Sequence, residues 1–225
     1  MEHGAKIRGR GPWALRAAAA LLLALAPASG CVAQAAALRT IVFFGDSLTA
    51  GLGLADPGAQ SFPGQIQVKI DALHLPWHVV NAGLSGETSA GGLRRIDWVL
   101  NQRTDVLVLE LGGNDGLRGT ATDVTQANLQ AIIDRVRSRY PDAKIVLAGM
   151  RMPPNMGQDY AEAFEAIFPA LAKRNQIALI PFLLEGVAER PELNQGDGIH
   201  PNASGAALVA DVVWRVISPI LLARK

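Results

Sequence analysis

The sequence predicts an α/β fold, an open sandwich built on a parallel sheet. Three observations predict it. Five short β-branched runs alternate with helical stretches, the order from which βαβ units are assembled. The runs are nearly continuously apolar rather than alternating, as in strands covered on both faces. Between several of them, apolar residues recur at helical spacing and give each helix one face to lay on a sheet.

The elements follow in order. "TIVFFG" (40–45) is the first strand and stops abruptly at Gly-Asp-Ser. Ile66, Ile70 and Leu73, at i, i+4 and i+7, stripe the next helix. "WHVVNAG" (77–83) and "DVLVLELG" (105–112) are the second and third strands. Leu129, Ile132, Ile133 and Val136 mark a helix ahead of the strands "KIVLAGM" (144–150) and "IALIPF" (177–182). Leu208, Val212, Val213, Val216 and Ile220 stripe a last helix. No repeat, low-complexity linker or charge block interrupts residues 36–225, which read as one domain.

Residues 1–35 read differently. "KIRGRGPWALR" is basic, "AAAALLLALA" apolar and "PASGCVAQAAA" rich in small residues. That order is a secretory signal peptide, and the apolar run is short of the roughly 20 residues a membrane span needs. "AQA" ending at Ala35 suits ordinary cleavage. "ASGC" ending at Cys31 is the alternative, a lipobox-like site that would leave Cys31 lipidated. The expected location is the periplasm, with lipid anchoring or secretion as variants.

The signal also accounts for the chain's basicity. It holds Lys6, Arg8, Arg10 and Arg16 against Glu2, so of 21 basic and 20 acidic residues the remainder keeps 17 and 19, a net charge of −2. Such a balance argues against a nucleic-acid-binding face. Cys31 is the one cysteine, which excludes an internal disulfide, and its place in the cleavage region excludes a cysteine nucleophile or a thiolate metal site.

In open parallel sheets, sites form at the carboxyl ends of strands. Three successive strands end in polar, glycine-rich tails: "GDSLTAG", "NAGLSGET" and "LGGNDGLRG". Ser47, in the first, is a candidate nucleophile, but a serine hydroxyl needs a base, usually a histidine oriented by a carboxylate. His74 and His78 are spaced like a helical metal pair, yet Pro76 between them breaks a helix. His200 lies three residues after Asp197 in "GDGIHPN". A D-x-x-H turn brings both side chains to one place, although the same turn serves Asp197 as a plain backbone cap. Gly83 offers a backbone N–H and Asn114 a side-chain amide to an oxyanion, each worth roughly 3 kcal/mol to a transition state. Their structural alternatives are a turn glycine and an Asx-turn.

Together "FFGDSLTAG", "NAGLSGET", "ELGGNDGLRG" and "DGIHPN" resemble the four signature blocks of the SGNH, or GDSL, hydrolase superfamily. The likeness spans Thr40 to about Ile220. "LGGNDGLRG", "FLLEGVA" and "DGIHPNASG" are similar more narrowly to its TesA-like branch of thioesterase I, arylesterase and lysophospholipase L1 proteins. The resemblance implies a flavodoxin-like three-layer α/β/α sandwich with a central parallel sheet. It implies Ser47 as nucleophile, His200 as general base and then acid, and Asp197 as its orienting carboxylate. It adds the N–H of Ser47 to Gly83 and Asn114 in the oxyanion hole. The absence of a G-x-S-x-G elbow argues against an α/β-hydrolase fold.

The expected reaction is acyl transfer to Ser47 followed by hydrolysis, with no metal or cofactor. The implied substrates are small: fatty acyl thioesters, lysophospholipids and aryl esters. Leu117, Met152, Pro153, Pro154 and Met156 are candidates to line an apolar acyl groove, or else pack beneath the loops. In the resembled branch the loop beginning near Asp115 covers the acyl chain, and Gly116 and Gly119 would permit motion. A monomer with no stable protein partner is expected. The competing readings are a carbohydrate acetylesterase of the same superfamily and an exported, non-catalytic binding protein. The second would be expected to lack one of Ser47, Asp197 and His200.

Overall fold

Five apolar runs hydrogen-bond side by side into one sheet in the structure, a computed structural model that describes residues 38–223. The signal-peptide reading of residues 1–35, and with it Cys31, lies outside the described residues. The strands are β1 (Arg39–Gly45), β2 (Trp77–Gly83), β3 (Val106–Glu110), β4 (Lys144–Ala148) and β5 (Ala178–Ile180). All pairings are parallel, in the spatial order β2-β1-β3-β4-β5. This is the flavodoxin-like order, and its switch point lies between β1 and β3, with successive strands added first on one side of β1 and then on the other.

Helices cover both faces. They are α1 (Ser47–Ala50), α2 (Pro57–Gln60), α3 (Phe62–Ala72), α4 (Ser89–Val99), α5 (Gly113–Leu117), α6 (Thr122–Arg139), α7 (Gln158–Asn175) and α8 (Ala203–Leu222). α3 packs beside α8, while α4 packs beside α6 and α6 beside α7. The result is the three-layer α/β/α sandwich that the family resemblance implies, and it agrees with the open α/β sandwich that the alternating pattern predicts. The central strands are buried throughout: Ile41, Val42, Phe43 and Phe44 in β1 and Val106 to Leu109 in β3 have no solvent-accessible surface. Each such side chain contributes roughly 1.5–3 kcal/mol of transfer free energy.

Details differ from the sequence pattern at helix margins. Leu73 is the C-cap of α3 rather than part of its buried stripe, and it is exposed, as is Leu208 at the edge of α8. The buried face of α8 runs instead through Val209, Val212, Val213, Ile217 and Leu221. Two helices carry no clear stripe in the sequence. α4 begins "SAGG", with two poor helix formers, and α7 contains Pro169. Tertiary packing outweighs propensity in both.

β1, β2 and β3 end level with one another. Gly45 is in register with Gly83 on one side and with Glu110 on the other. The three polar tails therefore emerge together at one edge of the sheet.

Candidate active site

Ser47 opens α1 directly after β1. As the first residue of a helix its backbone N–H lacks an intrahelical acceptor. Asp46 caps the same helix by accepting a hydrogen bond from the Leu48 N–H at 3.0 Å. Ser47 is thereby fixed on a rigid corner at the switch point.

The segment ahead of α8 delivers the histidine. Asn202 caps α8 through the N–H groups of Ser204 and Gly205. The Gln195 amide donates to the Leu52 carbonyl at 2.7 Å, tying this loop to the chain just beyond α1. His200 Nε2 lies 2.8 Å from Ser47 Oγ, and His200 Nδ1 lies 2.6 Å from Asp197 Oδ2. Asp197 Oδ1 accepts the N–H groups of Ile199 and His200 at 2.9 and 3.0 Å. These bonds, led by the His200 backbone N–H and then its ring, hold the Asp197 carboxyl down at about 2. Asp197 is therefore ionised throughout the neutral range and able to accept a hydrogen bond from the imidazole N–H.

Gly83 and Asn114 converge on the same corner. A Cβ at Gly83 would collide with the Ala50 backbone nitrogen and sit 2.7 Å from Ala50 Cα. The glycine is required by close approach to α1, not by a left-handed turn. Its N–H is 3.0 Å from Asn81 Oδ1. Asn114, in α5, donates from Nδ2 to Asp46 Oδ2 and to the Glu87 carbonyl, both at 3.0 Å. A substrate oxyanion would share these donors with their present acceptors. Asp115 reaches farther than a local backbone turn. Its carboxylate accepts the Ser89 N–H at 2.7 Å and the Ser89 hydroxyl at 2.5 Å, bolting α5 to the start of α4.

The proposed groove residues are arranged less simply. The crevice touching Ser47 and His200 is lined by Leu48, Leu52, Leu54, Phe62, Leu184 and Val209, among others. Of the candidates Leu117, Met152, Pro153 and Met156, none is among its walls. Met152 packs on Gly116 of α5 and against the core. Leu117 is about half exposed at the end of α5, and Pro153 is exposed beyond β4.

Residues 43–208 match the model of the GDSL-like lipase/acylhydrolase family. The chain belongs to that family. The esterase TesA of Pseudomonas aeruginosa is 40% identical over 199 residues, 86% of this chain and 97% of its own. The thioesterase 1/protease 1/lysophospholipase L1 of Escherichia coli K12 is 39% identical over 189 residues, 84% of this chain and 88% of its own. A crystal structure of TesA superposes with a TM-score of 0.77 at 39% identity, covering 82% of this chain and 100% of its own.

Several further polar residues of this GDSL-family site have no role legible in the sequence. Glu110, wholly buried at the end of β3, bonds the Ser47 turn. Glu87 is paired with Arg95 and presents its carbonyl to Asn114. Asn81 bonds the Thr49 carbonyl as well as Gly83. Asn81 and Glu87 lie in the polar block "NAGLSGET", and Glu110 is a carboxylate closing the otherwise apolar run "VLVLE", but no spacing pairs any of them with its partner.

Proposed function

We propose that this chain is a serine esterase and thioesterase that hydrolyses acyl esters through an acyl-enzyme on Ser47. The observation that carries the reading is the bonded sequence Ser47 Oγ, His200 Nε2, His200 Nδ1 and Asp197 Oδ2, at 2.8 and 2.6 Å. His200 takes the Ser47 proton as Oγ attacks the acyl carbon, and Asp197 stabilises the imidazolium that forms. The tetrahedral oxyanion is received by the N–H groups of Ser47 and Gly83 and by the Asn114 amide. His200 then protonates the departing alcohol or thiol, and water drawn through the same base hydrolyses the acyl-enzyme.

The substrate classes proposed are aryl esters, fatty acyl thioesters and lysophospholipids, which fits the names of the relatives. The protein acts as a monomer on these small molecules. Residues 1–35 direct export to the periplasm and are removed; N-terminal sequencing of the exported protein tests this, with a lipid-modified Cys31 as the contrary outcome. The catalytic test is hydrolysis of p-nitrophenyl esters of graded chain length and of an acyl-CoA. Ser47→Ala should lower turnover by about 10⁴-fold or more while leaving the circular dichroism spectrum unchanged. A Ser47→Ala protein with near-full activity would sink the mechanism.

A further inference from the structure

Directly beneath the Ser47 turn lies a carboxyl group that the acyl-transfer steps do not use. Glu110 ends β3 and is fully buried. Its Oε2 accepts the Asp46 N–H at 3.1 Å and the Thr49 hydroxyl at 2.7 Å, so it ties both ends of the turn that carries Ser47. Its Oε1 is buried with no donor facing it. An ionised carboxylate is acceptor-only on both oxygens, and leaving one bare in the interior is costly.

A second carboxyl lies against the first. Asp46 is 2% exposed, and its side chain is within hydrogen-bonding reach of Glu110. Asp46 Oδ1 accepts the Leu48 N–H and Oδ2 accepts the Asn114 amide. Neither acid forms an ion pair with Lys or Arg among the described residues. Two buried carboxyls in contact cannot both ionise; one proton is shared between them. Asp46 already has donors on both oxygens, whereas Glu110 has donors on one. The proton therefore belongs on Glu110.

We infer that Glu110 is a positioning residue for the reaction: held as the neutral acid, it donates its O–H to the Asp46 carboxylate, and this pair locks the Ser47 turn and the Asn114 amide in place. The inference rests on the reading above, in which Ser47 attacks and Asn114 receives the oxyanion. Burial, reinforced by the neighbouring Asp46, pushes the Glu110 carboxyl well above its ordinary range. The titratable groups around the pair leave it one negative charge. His200, in the loop ahead of α8, is near enough for its charge to favour the ionised form of Asp46. Asp115 in α5 is turned to Ser89, Glu87 after β2 is held by Arg95, and Asp197 is held by His200. The single charge favours the imidazolium that His200 becomes during attack; a second would strain the site.

The test combines infrared spectroscopy with kinetics on the purified protein. At pH 7 in D2O the wild type should show the carbonyl stretch of a buried neutral carboxylic acid. Glu110→Gln should abolish the band, and Ser47→Ala should retain it. On a p-nitrophenyl ester, Glu110→Gln should keep kcat and KM at the wild-type level, because an amide supplies both the donor and the acceptor. Glu110→Ala should lower kcat by about 10–100-fold with KM unchanged, the cost of a small misplacement. The proposal is overturned if the wild type lacks the band, if the band survives in Glu110→Gln but vanishes in Asp46→Asn, or if Glu110→Gln loses as much kcat as Glu110→Ala. A wild type that shows the band yet hydrolyses no ester would refute the acyl-transfer reading and leave the shared proton standing.

Discussion

His200 Nε2 stands 2.8 Å from Ser47 Oγ although 153 positions separate the two residues in the chain. Asp197 bonds the other ring nitrogen and thereby fixes which one faces the serine. Asp197→Asn should leave the fold intact and lower kcat by about 10²–10⁴-fold, because an amide in that place favours the wrong imidazole tautomer. Ester hydrolysis with a thermal-unfolding control checks this.

Asn114 is anchored from two sides, by Asp46 and by the Glu87 carbonyl. If the amide also receives the oxyanion, Asn114→Ala should reduce kcat by about 10²–10³-fold with little change in KM. A loss seen mainly in KM would assign Asn114 to ground-state binding instead. Steady-state kinetics across ester concentration separates the two.

Gly45 has no room for a side chain. A methyl there would collide with Thr49 Oγ1 and Glu110 Oε2 and lie 2.7 Å from the Glu110 carbonyl oxygen. The carbonyl belongs to the buried strand β3 and cannot swing away. Gly45→Ala should cost about 3 kcal/mol, the upper part of the usual overpacking range, and should displace the Ser47 turn. Urea denaturation reads the first effect, and activity per folded molecule reads the second.

Met152 separates packing from substrate binding. Its side chain packs on Gly116, two residues beyond Asn114, and against the core. Met152→Ala should lower stability by about 1–2 kcal/mol, a few degrees in Tm for a domain of this size. The preferred acyl-chain length should stay the same. A shifted chain-length optimum would instead make Met152 a wall of the acyl groove. A Tm measurement together with the p-nitrophenyl ester panel distinguishes the two.

These residues also explain what was legible in the sequence. β1 and β3 announce themselves because strands covered on both faces must be apolar along their whole length. Ser47, Gly83 and Asn114 stand out because they lie in glycine-rich polar tails that close three successive apolar runs, and His200 because it follows Asp197 by three residues in a Gly/Pro-rich turn. α4 and α7 do not stand out, since "SAGG" and Pro169 weaken the local signal that long-range packing overrides. The bonds from Glu110 to Asp46 and Thr49 span 64 and 61 positions. No periodicity or spacing rule reaches across that separation; only the parallel register of β1 and β3 makes it short.

Stability should respond to pH in two opposed windows. The Asp197 carboxyl is held at about 2 against an ordinary 3.8, so its contribution is complete above pH 3.8 and is lost as the pH falls toward 2. Asp197 is largely exposed, and solvent screening keeps that contribution small. The buried pair acts in the other direction. Burial raises Asp46 to about 6 and Glu110 well above its ordinary value. The folded state then binds protons that the unfolded chain has already released. This contribution is whole below about pH 4 and declines as the pH rises through 6 and beyond, where the second proton leaves. Urea midpoints should therefore fall steadily from pH 5 to pH 9 in the wild type. Glu110→Gln removes one of the two titrating groups and should flatten that decline. An equal slope in both proteins would mean that the buried pair takes up no proton on folding.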